Sequence, residues 1–378
     1  FKPPAIETPI EYRAIDVSAF RGHAVMTNES HMSAPLNSLD QAVLEPWLTA
    51  NVDGFHELTE IRKFEGGQSN PTYLIAARSG KYVLRAKPPG ELLKSAHQVD
   101  REYRVLKALA GTDVPVPKVF ALSEEGAPIG RMFFVMEYLD GHIFWDPVLP
   151  EFPKDAREKR SLVYDRMNTA LASLHAVDCE AVGLSDFGKP GNYYERQLAR
   201  WIQQYSASEI DRNEDIHRLA DWLGREMPPD DGKVSLVHGD YRLDNMVFDP
   251  EGKNILGILD WELSTLGHPL ADLAYQCMQW RLPHDGGFRG LGGIDRVAVG
   301  LPSEADYVKA YCRRRKIDSI GNWHFYVAFC FFRLAAILQG VYKRAVDGNA
   351  SNPDKARQYG EAVPVLGRMA VEMIDSET

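Results

Sequence analysis

The sequence has little cysteine: 4 residues in 378, with no Cys-x-x-Cys pair and no histidine cluster at zinc-binding spacing. This composition argues against a disulfide-stabilised fold or a structural zinc site. It is typical of a reducing compartment, so we expect a cytoplasmic protein. The sequence also has no prominent basic tract. Its 43 Lys and Arg are outnumbered by 53 Asp and Glu, which gives a net charge of −10. A general nucleic-acid-binding protein is therefore not expected.

Long apolar runs are also scarce. The most apolar stretch covers residues 325–338 and is interrupted by Arg333. It is shorter than the roughly 20 residues that a membrane-spanning helix needs, so we expect a buried core helix there and no membrane insertion. Hydrophobic residues nevertheless make up 44% of the chain, which is enough for a sizeable core. The length favours two domains or one domain with two lobes.

The pattern of apolar residues divides the chain into three parts. Residues 1–36 lack periodicity, and we expect an irregular arm or leader there. Residues 37–139 predict a small β-rich lobe with one main helix, and residues 140–378 predict a larger, mostly helical lobe. This is an α+β organisation, with a ligand expected between the lobes. The predicted elements are strands at 57–64, 72–77, 81–87, 235–237, 246–248 and 255–259, a hairpin ending at 138, and helices at 39–54, 96–110, 159–176, 193–205 and 215–227.

The most informative motif is the segment LVHGDYRLDN at 236–245, which contains His-x-Asp-x4-Asn, the spacing of a kinase catalytic loop. Asp260 follows at the end of an apolar strand. Phosphoryl transfer requires a carboxylate that accepts the proton of the acceptor hydroxyl, and oxygen ligands for a Mg²⁺ ion that neutralises the phosphates. We therefore predict Asp240 as the catalytic base and Asn245 and Asp260 as magnesium ligands. The alternative is that these polar residues merely occupy a tight hairpin.

These motifs resemble the aminoglycoside phosphotransferase family, the small-molecule branch of the protein-kinase-like fold. The family's catalytic loop reads H-G-D-x4-N, as residues 238–245 do. Its metal-binding strand ends I-D-W/F-E, which ILDWE at 258–262 resembles with one extra residue, Leu259. The segment GHPLADLA at 267–274 is similar to the family's P-x-x-D-L-A, so Asp272 is expected to brace the loop. The resemblance spans about residues 40–370. It implies a bilobal kinase-like fold, ATP and Mg²⁺ as cofactors, and transfer to a hydroxyl of a small molecule.

The smaller lobe is expected to supply the nucleotide site. In the family that the sequence resembles, a loop covers the phosphates of the nucleotide, and a glycine-containing turn matches that loop here. Backbone N–H groups in such a turn can approach phosphate oxygens. A plain hairpin turn is the alternative. The residues concerned are Gly66, Gly67, Gln68, Ser69 and Asn70.

The cation on the third strand departs from the kinase pattern, because Arg85 stands where kinases have Lys, and Lys87 lies on the same face. Arginine can bind phosphate with two hydrogen bonds, so Arg85 is assigned first and Lys87 second. Glu102 lies at the edge of a buried helical stripe and needs a partner there, which predicts an Arg85–Glu102 ion pair. An exposed helical glutamate is the alternative. The connector that resembles the family's adenine-binding segment, through its main chain only, comprises Glu137, Tyr138 and Leu139.

Other polar residues near these motifs have more ordinary expected roles. His238 is expected to brace the catalytic loop, and His175 to be a hydrogen-bonded packing histidine. Arg242 and Asp244 either contact phosphate or substrate, or pair with each other.

The catalytic residues do not define the acceptor. Segments such as GGQSNPTY and FRLAAILQGVYKRAVDGNAS resemble the kinase-like module associated with acyl-CoA dehydrogenases. That resemblance implies a 4-hydroxyacyl-CoA acceptor, with Arg333, Lys343 and Arg344 either meeting CoA phosphates or forming a solvated basic face. An aminoglycoside-type kinase and a catalytically idle nucleotide-binding module are the alternatives. A small hydroxyl compound is the one partner expected, and the oligomeric state stays open.

Overall fold

The structure is a computed structural model that describes residues 39–64, 70–88, 98–124, 128–285, 287–349 and 352–376. The expected arm at 1–36 lies outside these ranges, and so do Gly66, Gly67, Gln68 and Ser69. The described residues form the predicted α+β arrangement of a small lobe with a β-sheet and a larger helical lobe. The predicted boundary after residue 139 falls between the strand Phe133–Glu137 and the helix Arg157–Leu174.

The small lobe is built on a five-stranded antiparallel sheet with the strand order β1-β2-β3-β5-β4. Tyr82 and Leu84 of β3 pack with α1 on one face of the sheet, whereas Val83 packs with α2 on the other. Both faces are therefore covered by a helix, and the two helices lie within the ranges 39–54 and 96–110 predicted from the sequence. Its elements are α1 (Gln41–Asn51), β1 (Leu58–Lys63), β2 (Thr72–Ala77), β3 (Gly80–Ala86), α2 (Val99–Leu109), β4 (Val119–Ser123) and β5 (Phe133–Glu137).

The large lobe contains eight helices in its described residues, together with two short antiparallel strand pairs, β6 with β9 and β7 with β8. The strands are β6 (Ser235–Val237), β7 (Met246–Phe248), β8 (Ile255–Ile258) and β9 (Thr265–Gly267). The helices are α3 (Arg157–Leu174), α4 (Tyr193–Ser208), α5 (Glu214–Arg225), α6 (Leu270–Met278), α7 (Arg296–Val299), α8 (Glu304–Arg315), α9 (Trp323–Val346) and α10 (Pro353–Asp375).

Helix α9 is the core helix expected from the apolar stretch at 325–338, but it is longer than predicted, with 24 residues. By length and composition it could cross a membrane, yet 67% of its most apolar 18-residue window is buried inside the protein. Its burial against α4, α6 and α10 explains the apolar composition.

The strand pairs bring together the two motifs that the sequence singled out. The β7–β8 hairpin places Asn245, which precedes β7, beside the end of β8, which leads into Asp260. The β6–β9 pair joins the segment before Asp240 to the segment that follows Asp260. Strand β9 was not predicted, since its three residues carry no alternating pattern.

Candidate active site

The loop that carries Asp240 follows β6 and requires glycine at position 239. Gly239 has a φ of +86°, and an added Cβ would lie 2.7 Å from the carbonyl oxygen of Leu263. A side chain there would be strained twice, by its backbone conformation and by the close approach. This explains locally why the sequence reads His-Gly-Asp.

Asp272 braces this loop, as expected. Its carboxylate accepts the backbone N–H groups of His238 at 2.7 Å and of Gly239 at 2.8 Å. His175 lies 3.3 Å from the same carboxylate through Nε2, and its Nδ1 lies 2.7 Å from the Tyr311 hydroxyl. Burial alone would raise the pKa of the Asp272 carboxyl, but these partners lower it below its ordinary value. His175 is thus a hydrogen-bonded packing residue.

The extra residue Leu259 ties the two motifs together. Its N–H donates to the Asn245 carbonyl oxygen at 2.8 Å, and its own carbonyl oxygen lies 2.9 Å from Nε2 of His238. His238 therefore braces the catalytic loop, as predicted. Asp260 follows with a φ of +64°, a conformation that is uncommon for a residue with a side chain and is often found at functional sites.

Arg85 links the two lobes at this point. Its Nε lies 2.7 Å from Glu102, and its Nη2 lies 2.6 Å from Asp260 and 3.8 Å from Glu262. The predicted Arg85–Glu102 pair is present, and Glu102 is only 2% exposed. Asn70 joins the same group, since its Nδ2 donates to Glu262 at 3.2 Å.

Glu262 is a site residue that the sequence reasoning missed, although its position two residues after Asp260 could have indicated it. Lys87 has a different environment from Arg85. It follows the end of β3, and its backbone N–H donates to the Met132 carbonyl oxygen at 2.9 Å. The structure therefore brings Arg85, and not Lys87, against the acidic residues.

In this cluster the Arg85 guanidinium lies within 4 Å of three carboxylates, those of Glu102, Asp260 and Glu262. Burial disfavours the charge of Arg85, but the three acidic neighbours together raise its pKa above the ordinary value. Burial raises the pKa of Glu102 to about 7; Arg85 opposes this rise, and Asp260 and Glu262 add to it. The excess of carboxylate over cation, together with the amide and carboxylate oxygens of Asn245 and Asp260, fits the ligand preference of Mg²⁺.

Asp240 is held by several polar neighbours. Asn245 donates through Nδ2 to the Asp240 carbonyl oxygen at 2.9 Å and to its carboxylate at 3.1 Å. Arg242 lies 3.8 Å from the same carboxylate. Burial would raise the pKa of Asp240, but the nearby guanidinium groups of Arg242 and Arg333 and the neighbouring Tyr275 lower it below its ordinary value. Of the alternatives for Arg242 and Asp244, the structure shows the ion pair between them.

The three cations considered for CoA phosphates have separate environments. Arg333 donates to the Gly239 carbonyl oxygen at 2.6 Å and is directed inward. Lys343 pairs with Asp347 one helical turn away, and Arg344 is exposed. Arg333 is therefore not part of a solvated basic face with Lys343 and Arg344, and the alternative, contact with CoA phosphates, stays a prediction.

The structure brings together six of the fourteen predicted site residues, namely Asn70, Arg85, Glu102, Asp240, Asn245 and Asp260. Asp240, Asn245 and Asp260 are connected by hydrogen bonds through Leu259 and Asn245, and Asp260 continues to the Arg85–Glu102 pair. Glu137 ends β5, and Tyr138 and Leu139 follow it in the connector between the lobes.

A loop carboxylate, nearby amide and carboxylate oxygens and an arginine–glutamate pair, set between a sheet lobe and a helical lobe, are typical of the bilobal kinase-type phosphotransferases. Residues 60–301 match the model of the phosphotransferase enzyme family, APH. The chain belongs to this family.

Curated relatives link the chain to proteins named after acyl-CoA dehydrogenases. It is 43% identical over 343 residues to acyl-CoA dehydrogenase family member 10 of Mus musculus, which covers 90% of this chain and 32% of the relative. It is 38% identical over 335 residues to acyl-CoA dehydrogenase family member 11 of Homo sapiens, covering 87% of this chain and 42% of the relative. The chain thus spans less than half of the length of these relatives.

Solved structures support the same fold. A protein from Ralstonia eutropha JMP134, provisionally described as an aminoglycoside phosphotransferase, has a TM-score of 0.81 and 44% identity, covering 89% of this chain and 98% of its own. The spectinomycin phosphotransferase APH(9)-Ia, solved with ADP and spectinomycin, has a TM-score of 0.60 and 12% identity, covering 89% and 100%. The second similarity concerns the fold alone.

Proposed function

We propose that this chain transfers the γ-phosphoryl group of ATP to a hydroxyl group of a small molecule. The observation that carries the proposal is the hydrogen-bonded connection from Asp240 through Asn245 and Leu259 to Asp260, next to the Arg85–Glu102 pair. This connection fixes a base beside a set of metal-ligand oxygens, which is the arrangement that phosphoryl transfer needs.

The reaction needs little covalent chemistry from the protein. The Asp240 carboxylate accepts the proton of the acceptor hydroxyl while the hydroxyl oxygen attacks the γ-phosphorus of ATP. The bond between the γ-phosphorus and the bridging oxygen breaks, and its electron pair leaves with ADP. The products are a phosphate monoester, ADP and protonated Asp240, which then returns the proton to solvent. The lowered pKa of Asp240 keeps it ionised and ready to accept that proton near neutral pH.

Residues 37–139 would hold the nucleotide and residues 140–378 the acceptor. Asn245 and Asp260 would hold Mg²⁺, which supplies charge neutralisation on the phosphates when bound. Arg85 would contact the phosphates, and the main chain at residues 137–139 would contact the adenine. The ADP found in spectinomycin phosphotransferase is consistent with ATP as donor.

For the acceptor we propose a 4-hydroxyacyl-CoA or a related hydroxy acid. The relatives named as acyl-CoA dehydrogenase family members support this choice. The charges near the base agree, since the charged side chains closest to Asp240 include two cations, Arg242 and Arg333, and one further carboxylate, Asp244. The side chains around Asp240 therefore carry no excess of negative charge that would favour a polycationic acceptor such as an aminoglycoside.

An aminoglycoside-type kinase is the second candidate, favoured by the description of the Ralstonia protein. A catalytically idle nucleotide-binding module is the third, and the presence of Asp240, Asn245 and Asp260 in one connected group argues against it. The four cysteines are free thiols in the structure, so we also propose a reducing compartment, the cytoplasm.

The test is ADP release from Mg·ATP with a panel of acceptors: 4-hydroxyacyl-CoAs, the free hydroxy acids, an aminoglycoside, choline and homoserine. Asp240→Asn serves as the blank, and Asp318→Asn, an exposed aspartate of the same lobe, as the matched control. We expect a 4-hydroxyacyl-CoA to stimulate release in the wild type and the control, and the Asp240→Asn variant to lose at least about 100-fold in kcat. Stimulation by the aminoglycoside alone would reject the CoA acceptor, and full turnover by Asp240→Asn would reject the assigned base.

A further inference from the structure

Glu262 of the large lobe faces two polar side chains of the small lobe, those of Asn70 and Arg85. We infer that Glu262 is a positioning residue, which holds Asn70, the last residue of the predicted nucleotide segment 66–70, beside the segment that carries Asp260. The inference rests on the proposed function, because it takes residues 66–70 as the segment over the phosphates. Glu262 then acts through the small lobe and not on the metal.

The short segment that carries Glu262 is anchored in the large lobe. Residues Trp261–Leu263 form a single turn of 3₁₀-helix. The Trp261 side chain is buried, its Nε1 donates to the Ile258 carbonyl oxygen at 2.9 Å, and its ring centre lies 4.7 Å from that of His238. Because Trp261 points into the core, the next side chain, Glu262, is directed out of it, toward the small lobe.

Asn70 is fixed by the sheet of the small lobe. Pro71 follows it and restricts the Asn70 backbone to extended conformations. The Pro71 carbonyl oxygen accepts the N–H of Ala86 at 2.9 Å, and the Asn70 carbonyl oxygen accepts the hydroxyl of Thr72 at 3.1 Å. Asn70 is only 2% exposed, so its side-chain amide is largely removed from water. The hydrogen bond from its Nδ2 to Glu262, at 3.2 Å, therefore satisfies a buried donor.

The Asn70–Glu262 hydrogen bond joins two anchored elements of different lobes. Its acceptor is a carboxylate, which makes a stronger hydrogen bond than a neutral oxygen does. Nη2 of Arg85 lies 3.8 Å from the same carboxylate. One side chain of the large lobe thus faces both the end of the nucleotide segment and the cation proposed to contact the phosphates. Loss of this side chain should disturb both phosphate contacts together, whether or not a metal is bound.

Three possible roles of Glu262 predict different effects on nucleotide binding. A carboxylate near phosphates repels them, so its removal should strengthen the binding if its charge alone mattered. If Glu262 were a metal ligand, its removal should weaken the binding of Mg·ATP and leave metal-free ADP unaffected. The positioning role predicts weaker binding of metal-free ADP, and it predicts the same loss when Asn70 is removed.

The experiment measures the binding of ADP in excess EDTA, and separately of Mg·ATP, to the full chain by calorimetry. The variants Asn70→Ala, Glu262→Ala and their combination form a double-mutant cycle. Glu251→Ala and Asn349→Ala, which change two exposed residues of the large lobe, are the matched controls. Thermal unfolding without nucleotide verifies that each variant is folded at the temperature of the binding experiment.

We expect each single variant to bind ADP about ten-fold more weakly than the wild type, and the double variant to bind it no more weakly than either. The controls should bind as the wild type does. Unchanged or tighter binding of ADP in Glu262→Ala would overturn the positioning role. A loss that Asn70→Ala does not share, or losses that add in the double variant, would overturn it as well.

A reciprocal exchange tests the same contact while the shapes and the total charge of the pair are kept. In Asn70→Asp two carboxylates face each other, and we expect ADP to bind more than about ten-fold more weakly. The additional change Glu262→Gln restores the hydrogen bond with donor and acceptor reversed. ADP affinity should then return to within about three-fold of the wild type. No recovery in the exchanged pair would show that this hydrogen bond is not the cause.

The binding measurements need no acceptor, and they separate this inference from the proposed function. A wild-type chain that binds neither ADP nor Mg·ATP rejects the proposed function itself. A wild-type chain that binds both, with variants that bind equally well, rejects the positioning role of Glu262 alone and leaves the kinase activity standing.

Discussion

Arg85 performs in this chain a task that a lysine could not perform in the same way. Its planar fork meets Glu102 through Nε and Asp260 through Nη2 at the same time, at 2.7 and 2.6 Å. A lysine would have to make both contacts from a single charged nitrogen, whereas Arg85 uses two different nitrogen atoms. The departure from the kinase pattern is therefore accompanied by a direct link between the sheet lobe and the segment that carries Asp260.

Burial raises the pKa of Glu102 from 4.5 to about 7 in the folded protein, so the stability of the fold should depend on pH through this residue. The folded chain then binds a proton at pH values where the unfolded chain has released it. This proton stabilises the fold below about pH 4.5, and the contribution is lost as the pH rises through 7. The side chain of the Glu102→Gln variant cannot ionise, so the free energy of unfolding of this variant should not show this decrease as the pH rises.

We expect the wild type to lose up to about 3 kcal/mol relative to Glu102→Gln between pH 4.5 and 8. Denaturant unfolding of both proteins without nucleotide, at constant ionic strength, measures the difference. Parallel pH profiles of the two proteins would show that Arg85 keeps Glu102 ionised throughout and that the predicted shift is wrong.

At the scale of elements, helix α2 is attached to the large lobe by two arginines. Arg101 donates to the Phe187 carbonyl oxygen at 2.7 Å, and its guanidinium carbon lies 3.9 Å from the centre of the Phe187 ring. Arg104 pairs with Asp186 and donates to the Gly183 carbonyl oxygen at 2.8 Å. Because α2 also carries the partner of Arg85, these contacts set the position of the ion pair relative to the other lobe.

Arg101→Met should therefore affect nucleotide binding at a distance. We expect a stability loss of about 1–2 kcal/mol and a KM for Mg·ATP raised several-fold, since the helix loses a hydrogen bond and a ring contact. Lys107→Met, an exposed residue of the same helix, is the control. Calorimetry and steady-state kinetics measure the two effects; an unchanged KM in a destabilised Arg101→Met variant would show that the attachment serves stability alone.

The elements with a clear local pattern of apolar residues, and the site residues that lie on them, could be predicted from the sequence. The strands β6, β7 and β8 were predicted from short apolar runs, and Glu102 was assigned from its place beside a buried helical stripe. Strand β9 has three residues and exists through its pairing with β6, which no local pattern indicates. The hydrogen bond from Arg333 to the Gly239 carbonyl oxygen was not predicted for the same reason, because it depends on how distant parts of the chain pack.

The molecule as a whole has two apolar cores that meet the small-lobe sheet on opposite faces. One core lies between the sheet and α1 and is confined to the small lobe. The other begins with Val83, Phe134 and Met136 on the inner face and continues without interruption into the large lobe. The inner face of the sheet is therefore part of the same core as the large lobe, which couples the positions of the two lobes.

Neighbouring residues of β5 allow this coupling to be tested with a matched pair. Phe133 and Phe134 are both 0% exposed and point to opposite faces, toward Trp47 of α1 and toward Tyr103 of α2. Either substitution by alanine should cost about 3–5 kcal/mol. In hydrogen exchange we expect Phe133→Ala to increase exchange in α1 and the outer strands. Phe134→Ala should also increase exchange at residues 261–263, which contact α2. Identical exchange patterns in the two variants would show that the lobes do not share a coupled core.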